Sequence, residues 1–517
     1  MHIKDMTIEQ KLGHVFCARG FRQPGDLEFT LEMIKKRALG AVQIRYTDTE
    51  VMEKVRQAAD YPIIIVNDAE QGWPTSDLPK CQQMTLTACH DDEALRVFAR
   101  SIASEAQKAG YNAMWGPLAD VLRNDGPLKV YRLSSDDPKS VAHQLEVMCG
   151  ELKKHHFLTC GKHYPGQGGM VMDTHMADDP LYVTEQELLD FDLVPYLHLM
   201  DKGLLPAIMS THMIYPKIDP DYPASLSKKV IDIIRRKGFD GICYTDSLAM
   251  MAILQKYGEE NIYGMAIAAG NDVLLPNFRR PMRECFQMLV KNFEDGVFSE
   301  ERLDEAVRRV LTAQEFVGKQ QGICPFSQQD YEKLDNLASD CITAVTSGIE
   351  PAIEKKSTLF VVLTELSYDP TDNNEIQTGL WYSPKRVTEA IHSEFPDAGI
   401  EYLPEFSNQQ DNERVLTAAL QYEQTVFVTF CSTTCYLGTD GLTRRTESVI
   451  DALSRSGKVA AIVHFGNPLA LKHLPRVPRR IYGYMMEKSQ KYAIEVLSGK
   501  LQAKGTLPFN INAILKA

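Results

Sequence analysis

The sequence predicts an α/β protein: an N-terminal (β/α)8 TIM-type barrel followed by a smaller three-layer α/β sandwich domain. Three observations carry this. With 517 residues, the chain exceeds what one hydrophobic core usually sustains, so two domains are expected. Eight short apolar runs recur through the first part, with room for a helix between each pair. After a polar, turn-rich break, a shorter series alternates strand and helix again.

The runs cover residues 14–17, 40–44, 62–66, 111–116, 157–161, 206–210, 241–245 and 272–275. The intervening segments carry helical period; in Asp92–Lys108 (DEALRVFARSIASEAQK) apolar residues stand three and four apart. Eight buried strands alternating with helices suggest a closed parallel barrel. A doubly wound open sheet shows the same alternation, and counting strands does not separate the two. Residues 320–335 form the break, and a helix is expected over 333–348. Strands at 358–363, 425–430 and 458–464 then build the second domain. The expected boundaries are 1–335 for the barrel, 336–356 for a linker helix region and 357–517 for the second domain.

Hydrophobic residues make up 44% and charged residues 24%, an ordinary globular composition. The formal net charge of -13 argues against nucleic acid and anionic membrane as partners, since both need a basic surface. Eleven cysteines without a CxxC pair read as free thiols of a reducing compartment. Charges interrupt every apolar run of MHIKDMTIEQKLGHVF, so no secretion signal is expected, and no stretch is apolar for the length of a bilayer. A cytoplasmic location follows as the expectation.

In a barrel of this type, chemistry sits on loops at the carboxyl ends of the strands. Just past the third run stand Asp68 and Glu70, and past the fourth Asp120. Lys162 and His163 follow the fifth, His212 the sixth and Asp246 the seventh. Any one of these alone reads as a helix cap or a salt-bridge partner. Five at the same end of consecutive strands read as a convergent polar site. Asp246 closes GICYTD before a helix begins; it is either that helix's cap or a carboxylate aimed into the mouth, able to attack an electrophilic carbon. His175 lies two residues from Asp173, near enough to hydrogen-bond it and raise its pKa, which suits proton transfer near neutrality. A solvated loop histidine is the plainer alternative.

GQGG lacks both the full GxGxxG and a GK[ST] ending, so it is a poor phosphate cradle. His163, His175 and His212 with Asp173 are a conceivable zinc set, but the chain has neither HxH nor HExxH. No metal and no other cofactor is expected.

These residues resemble family 3 glycoside hydrolases of the β-N-acetylglucosaminidase branch. KHYPGQGGMVMDTH (162–175) is similar to that branch's KHFPGHG…DSH loop, with the spacing from Lys162 to Asp173 and His175 matching. YTDSLAM (244–250) resembles SDDLSM, whose aspartate is the nucleophile, and VNDAEQG (66–72) resembles IDQEGG. GPLADV (116–121) resembles APVxDV, and MSTHMIYP (209–216) resembles M-x-x-H-V-x-Y-P. FGNP (465–468) and GTLP (505–508) are similar to stretches of the family's C-terminal α/β domain. Family members commonly have histidine at Gln167, and an arginine-containing GGRV where this chain has Gly72-Trp73-Pro74; the second departure removes a sugar-binding cation.

The resemblance implies a retaining, exo-acting enzyme that cleaves terminal β-linked N-acetylglucosamine, on cell-wall (muropeptide) fragments among other substrates. Asp246 would be the nucleophile and His175 the acid/base, oriented by Asp173. Asp68, Asp120, Arg132, Lys162, His163, His212 and Met250 would hold the sugar. A small-molecule carbohydrate is the partner so implied. A β-glycosidase for another sugar such as glucose, a phosphorylase using phosphate as acceptor, and a silent sugar-binding protein are the alternatives.

Overall fold

The computed structural model describes residues 2–123, 132–347, 352–354, 356–364, 382–431 and 441–510. By contacts the chain forms two compact units. The first comprises Met1–Leu78, Leu95–Pro127 and Asp137–Asp330; the second comprises Pro79–Ala94, Leu128–Asp136 and Tyr331–Ala517.

Strands β1 (Cys17–Arg19), β2 (Ala41–Gln43), β3 (Ile64–Asp68) and β4 (Ala113–Trp115) of the first unit pair in that order, all parallel. Next along the chain come β5 (Gly161–Tyr164), β6 (Ala207–Ser210), the short antiparallel ribbon β7 (Ile214–Tyr215) and β8 (Asp219–Pro223), β9 (Ile242–Ser247) and β10 (Val273–Leu275). Of these, β5, β6, β9 and β10 form a second parallel set of four. Parallel bridges Phe16↔Leu274, Ala113↔Leu158 and Leu118↔Lys162 join the two sets at both edges, so the ring closes. That resolves the choice between barrel and open sheet. One buried cluster takes residues two apart from successive strands: Ile64 and Val66, Ala113 and Trp115, Ala207 and Met209, Ile242 and Tyr244, Val273 and Leu275.

One register departs from expectation. The fifth strand is read from sequence at 157–161, but its ladder with β6 runs from Gly161 to Tyr164, and Leu158 is held only by a bridge to Ala113. Lys162 and His163 are therefore strand residues rather than residues past the strand, and 161–170 is buried throughout. The Lys162–His163 and Tyr164–Pro165 peptides are cis.

The second unit holds a six-stranded sheet built from β11 (Thr343–Thr346), β12 (Thr358–Thr364), β13 (Gly399–Pro404), β14 (Gln424–Cys431), β15 (Val459–Gly466) and β16 (Arg479–Tyr484). Its order is β11-β16-β15-β14-β12-β13, parallel except for β11 against β16. All of β12 and β15 is buried, as sheets covered on both faces require. The helix expected over 333–348 ends at Asp340, and Thr343-Ala-Val-Thr, rich in β-branched residues, pairs with β16 instead. Among the described residues no helix is long and apolar enough to cross a membrane.

Candidate active site

The ends of β3, β4 and β5 carry a set of interlocked charges. Lys162, 3% exposed, donates from Nζ to Asp68 Oδ1 and reaches Glu70 Oε1, each at 2.6 Å. The Tyr46 hydroxyl donates to the Asp68 carbonyl. Asp120 is fully buried: its Oδ2 accepts from His163 Nδ1 at 2.7 Å, and its Oδ1 accepts from the backbone N–H of His163 and of Gln167, at 3.1 and 2.6 Å. A carboxylate only accepts here, so the His163 proton sits on Nδ1.

Beyond β5 the chain is fixed by close approach. A Cβ on Gly168 would lie 1.5 Å from the Val121 carbonyl oxygen, so only glycine passes there. Gln167, where histidine is common in the family, braces the turn by donating from Nε2 to Thr211 Oγ1. Asp179 Oδ2 accepts from Val171 N at 2.7 Å and closes the next stretch on itself. Within it, Asp173 Oδ1 accepts from both His175 Nδ1 (2.8 Å) and His175 N (3.0 Å). With Nδ1–H committed to Asp173, proton exchange with a ligand falls to Nε2 of His175, whose side chain is 26% exposed. The His175 carbonyl accepts from Met251 N at 3.2 Å, which pins this stretch to the helix start just past Asp246.

Asp246 is half-buried at the end of β9. Its Oδ1 accepts from Ser247 N at 2.6 Å, and its Oδ2 takes no hydrogen bond among the described residues. Burial favours the neutral acid, but the neighbouring His163, His212 and His175 side chains and the Ser247 N–H outweigh it. The carboxyl is therefore held well below the usual carboxylate range. That His163, His175 and His212 all act on it places the four groups around one mouth.

His212 is completely buried. Its Nε2 lies 3.0 Å from the Ser247 carbonyl and its Nδ1 2.7 Å from Ser225 Oγ. A carbonyl only accepts, so the proton is on Nε2 and the serine hydroxyl donates to Nδ1. Burial pushes the His212 pKa down, outweighing the nearby Asp246 carboxylate and the Ser247 carbonyl. Asp120 and His212, expected to hold sugar, thus spend their polar atoms on the protein. Met250 is buried at the foot of the helix after β9. Arg132 is half-buried and belongs to the second unit, in Leu128–Asp136. Among the described residues no group of three His, Cys, Asp or Glu converges as a metal site.

Glu70, expected past the third run, pairs with Lys162. One charged residue at the mouth lies outside the expected set: Arg19, at the end of β1, donates from Nη1 to Ser247 Oγ at 2.9 Å. Reading past every apolar run, the first included, finds Arg19 two residues after Cys17.

The glycosyl hydrolase family 3 N-terminal domain model matches residues 7–313. A β-hexosaminidase of Xanthomonas euvesicatoria pv. vesicatoria is 31% identical over 242 residues, covering 44% of this chain and 70% of the relative. A β-hexosaminidase of Neisseria meningitidis serogroup C is 29% identical over 195 residues, 37% of this chain and 54% of the relative. Among solved structures, a family 3 β-N-acetylglucosaminidase from Paenibacillus sp. FPU-7 superposes with a TM-score of 0.82 at 22% identity, covering 98% of this chain and 99% of that one. The β-glucoside phosphorylase BglX gives the same TM-score and identity over 99% of this chain and 96% of its own.

Proposed function

The chain belongs to glycosyl hydrolase family 3, and from that premise we propose that it is a retaining, exo-acting β-N-acetylglucosaminidase with Asp246 as nucleophile and His175 as acid/base. The observation that carries this is the Asp173–His175 pair, tied by the His175 carbonyl to Met251 N, five residues past Asp246. In the first step Asp246 Oδ2 bonds to the anomeric carbon while the bond to the leaving oxygen breaks. His175 Nε2 gives that oxygen its proton. In the second, water attacks the glycosyl ester, His175 Nε2 takes the water proton, and the carboxylate departs. The sugar leaves with its original anomeric configuration.

Asp68, Lys162 and His163, with Met250, hold the sugar. Asp120 and His212 position them, Asp120 through His163 and His212 through Ser247. Cell-wall (muropeptide) fragments with terminal β-linked N-acetylglucosamine are the proposed substrates. The cytoplasm is the proposed location, in keeping with the ten described cysteines all being free.

A second reading rests on the same pair. A neutral imidazole base does not repel an anionic acceptor as a carboxylate base does, so phosphate is an alternative to water in the second step. A panel of aryl β-glycosides assayed with and without phosphate tests both. The reading expects turnover of the N-acetylglucosaminide above the glucoside. Preference for the glucoside overturns the sugar assignment. Free sugar alone at saturating phosphate overturns the phosphorylase alternative.

A further inference from the structure

The barrel mouth holds a cation for which the mechanism above has no task. Arg19 is 9% exposed, donates from Nε to Gln43 Oε1 at 2.8 Å and from Nη1 to Ser247 Oγ at 2.9 Å. Its Nη2 meets no acceptor, and the guanidinium forms no ion pair, among the described residues. Asp68 and Asp246 are near enough to act on its charge, yet neither hydrogen-bonds it, and Asp68 is already neutralised by Lys162. Buried arginines are ordinarily paired.

A second cation stands beside it. The Arg19 guanidinium carbon is 5.2 Å from the Phe278 ring centroid and that of Arg22 is 4.7 Å from the same ring. Arg22 is exposed and likewise forms no ion pair among the described residues. Two unpaired guanidinium groups on one ring repel each other, and an anion between them relieves that cost through charge-assisted hydrogen bonds. Elsewhere in the mouth a cation is missing: at the segment where the family carries arginine, Trp73 is buried edge-on against Tyr46 and Tyr111. Positive charge enters from β1 instead.

The side on which Arg19 stands decides what the anion is part of. Arg19 bonds the side chain of the residue next to Asp246, the proposed nucleophile. In a retaining reaction the leaving group and the acceptor both use the opposite, His175 side. We propose that Arg19, with Arg22, binds an anionic group, phosphate or carboxylate, at the exocyclic carbon 6 of the bound sugar. Carbon 6 is the exocyclic carbon of these sugars that either becomes a carboxylate by oxidation or bears phosphate as an ester, with the anomeric carbon left at Asp246. The inference rests on the assignment of Asp246, but its test reads binding, not turnover.

The test is titration calorimetry on the full chain with N-acetylglucosamine, glucose, their 6-phosphates, glucuronate and inorganic phosphate, for wild type, Arg19→Gln and Arg22→Ala. The 6-phosphates are expected to bind at least about tenfold tighter than their neutral parents, less so as salt rises. Arg19→Gln is expected to abolish that preference, and Arg22→Ala, more exposed, to cut it about threefold. Glucuronate in place of the 6-phosphates, as the tighter anion, selects carboxylate and supports the proposal equally. Anionic sugars that bind no tighter than neutral ones overturn it. So does inorganic phosphate that matches the sugar phosphates, because the anion is then a free ligand. If Arg19→Gln does not fold, an unchanged preference in Arg22→Ala overturns it. A chain that binds sugar phosphates but hydrolyses no glycoside leaves this inference standing and overturns the mechanism instead.

Discussion

The two sides of the barrel mouth handle charge in opposite ways. On the side of β3, β4 and β5, every charge is spent on a neighbour: Lys162 on Asp68 and Glu70, Asp120 on His163 and Gln167. On the side of β9, Asp246 takes one backbone hydrogen bond and is otherwise stabilised at a distance by three histidines. Saturated groups hold shape, and an ionised oxygen without a donor reacts. The contrast separates frame from chemistry within one ring of residues.

The sharpest way to break the contrast is at Asp246. Asp246→Asn keeps the volume and removes the proposed nucleophile, so kcat on an aryl glycoside is expected to fall by about 10⁴-fold or more with binding retained; near-wild-type turnover contradicts the division. Next is His175→Ala, with an expected loss of about 10²- to 10⁴-fold on substrates with poor leaving groups. The loss shrinks as the leaving group improves, because less proton donation is needed, and a kcat series over aryl leaving groups reads this directly. Asp173→Asn follows at about tenfold in kcat on the same series, since the carboxylate that holds His175 Nδ1 no longer orients the ring.

On the opposite side the expected effect is on shape. Lys162→Met leaves Asp68 and Glu70 facing each other and costs about 1–3 kcal/mol of stability, tempered by the half-exposure of Asp68. A denaturant melt measures it, and KM rises because the frame loosens. The smallest effect concerns His212. Its folded pKa is lowered, so the unfolded chain takes up a proton first as pH falls. Stability is therefore lost below about 6.5, the ordinary imidazole value, down to the lowered folded value. His212→Asn is expected to flatten that part of the Tm–pH curve, and an unchanged slope assigns it elsewhere.

Much of this frame is legible in the sequence because buried parallel strands must be apolar runs. All eight barrel runs meet a strand or its bridge. The fifth is displaced, since KHYP is polar yet buried: its charges are satisfied by Asp68, Glu70 and Asp120 from other strands, partners that no local pattern reveals. The helix expected past Asp340 gives way to β11 because a tertiary pairing with β16 outweighs local periodicity. Asp246 is visible as a carboxylate at a strand end, and Asp173 and His175 as an acid and a histidine two residues apart. Their convergence comes from a backbone hydrogen bond between His175 and Met251, far apart in the chain. Arg19 escapes notice because a lone arginine after a short run looks like any solvated charge until its burial is known.

The central claim is that Asp246 attacks the sugar while His175 serves the leaving group. The direct measurement is to trap the enzyme with a slow 2-deoxy-2-fluoro glycosyl substrate and map the adduct by peptide mass spectrometry. The account predicts one sugar ester on Asp246, discharged on adding acceptor in wild type and persistent in His175→Ala. An adduct on any other residue, or turnover with inverted anomeric configuration and no adduct, contradicts it.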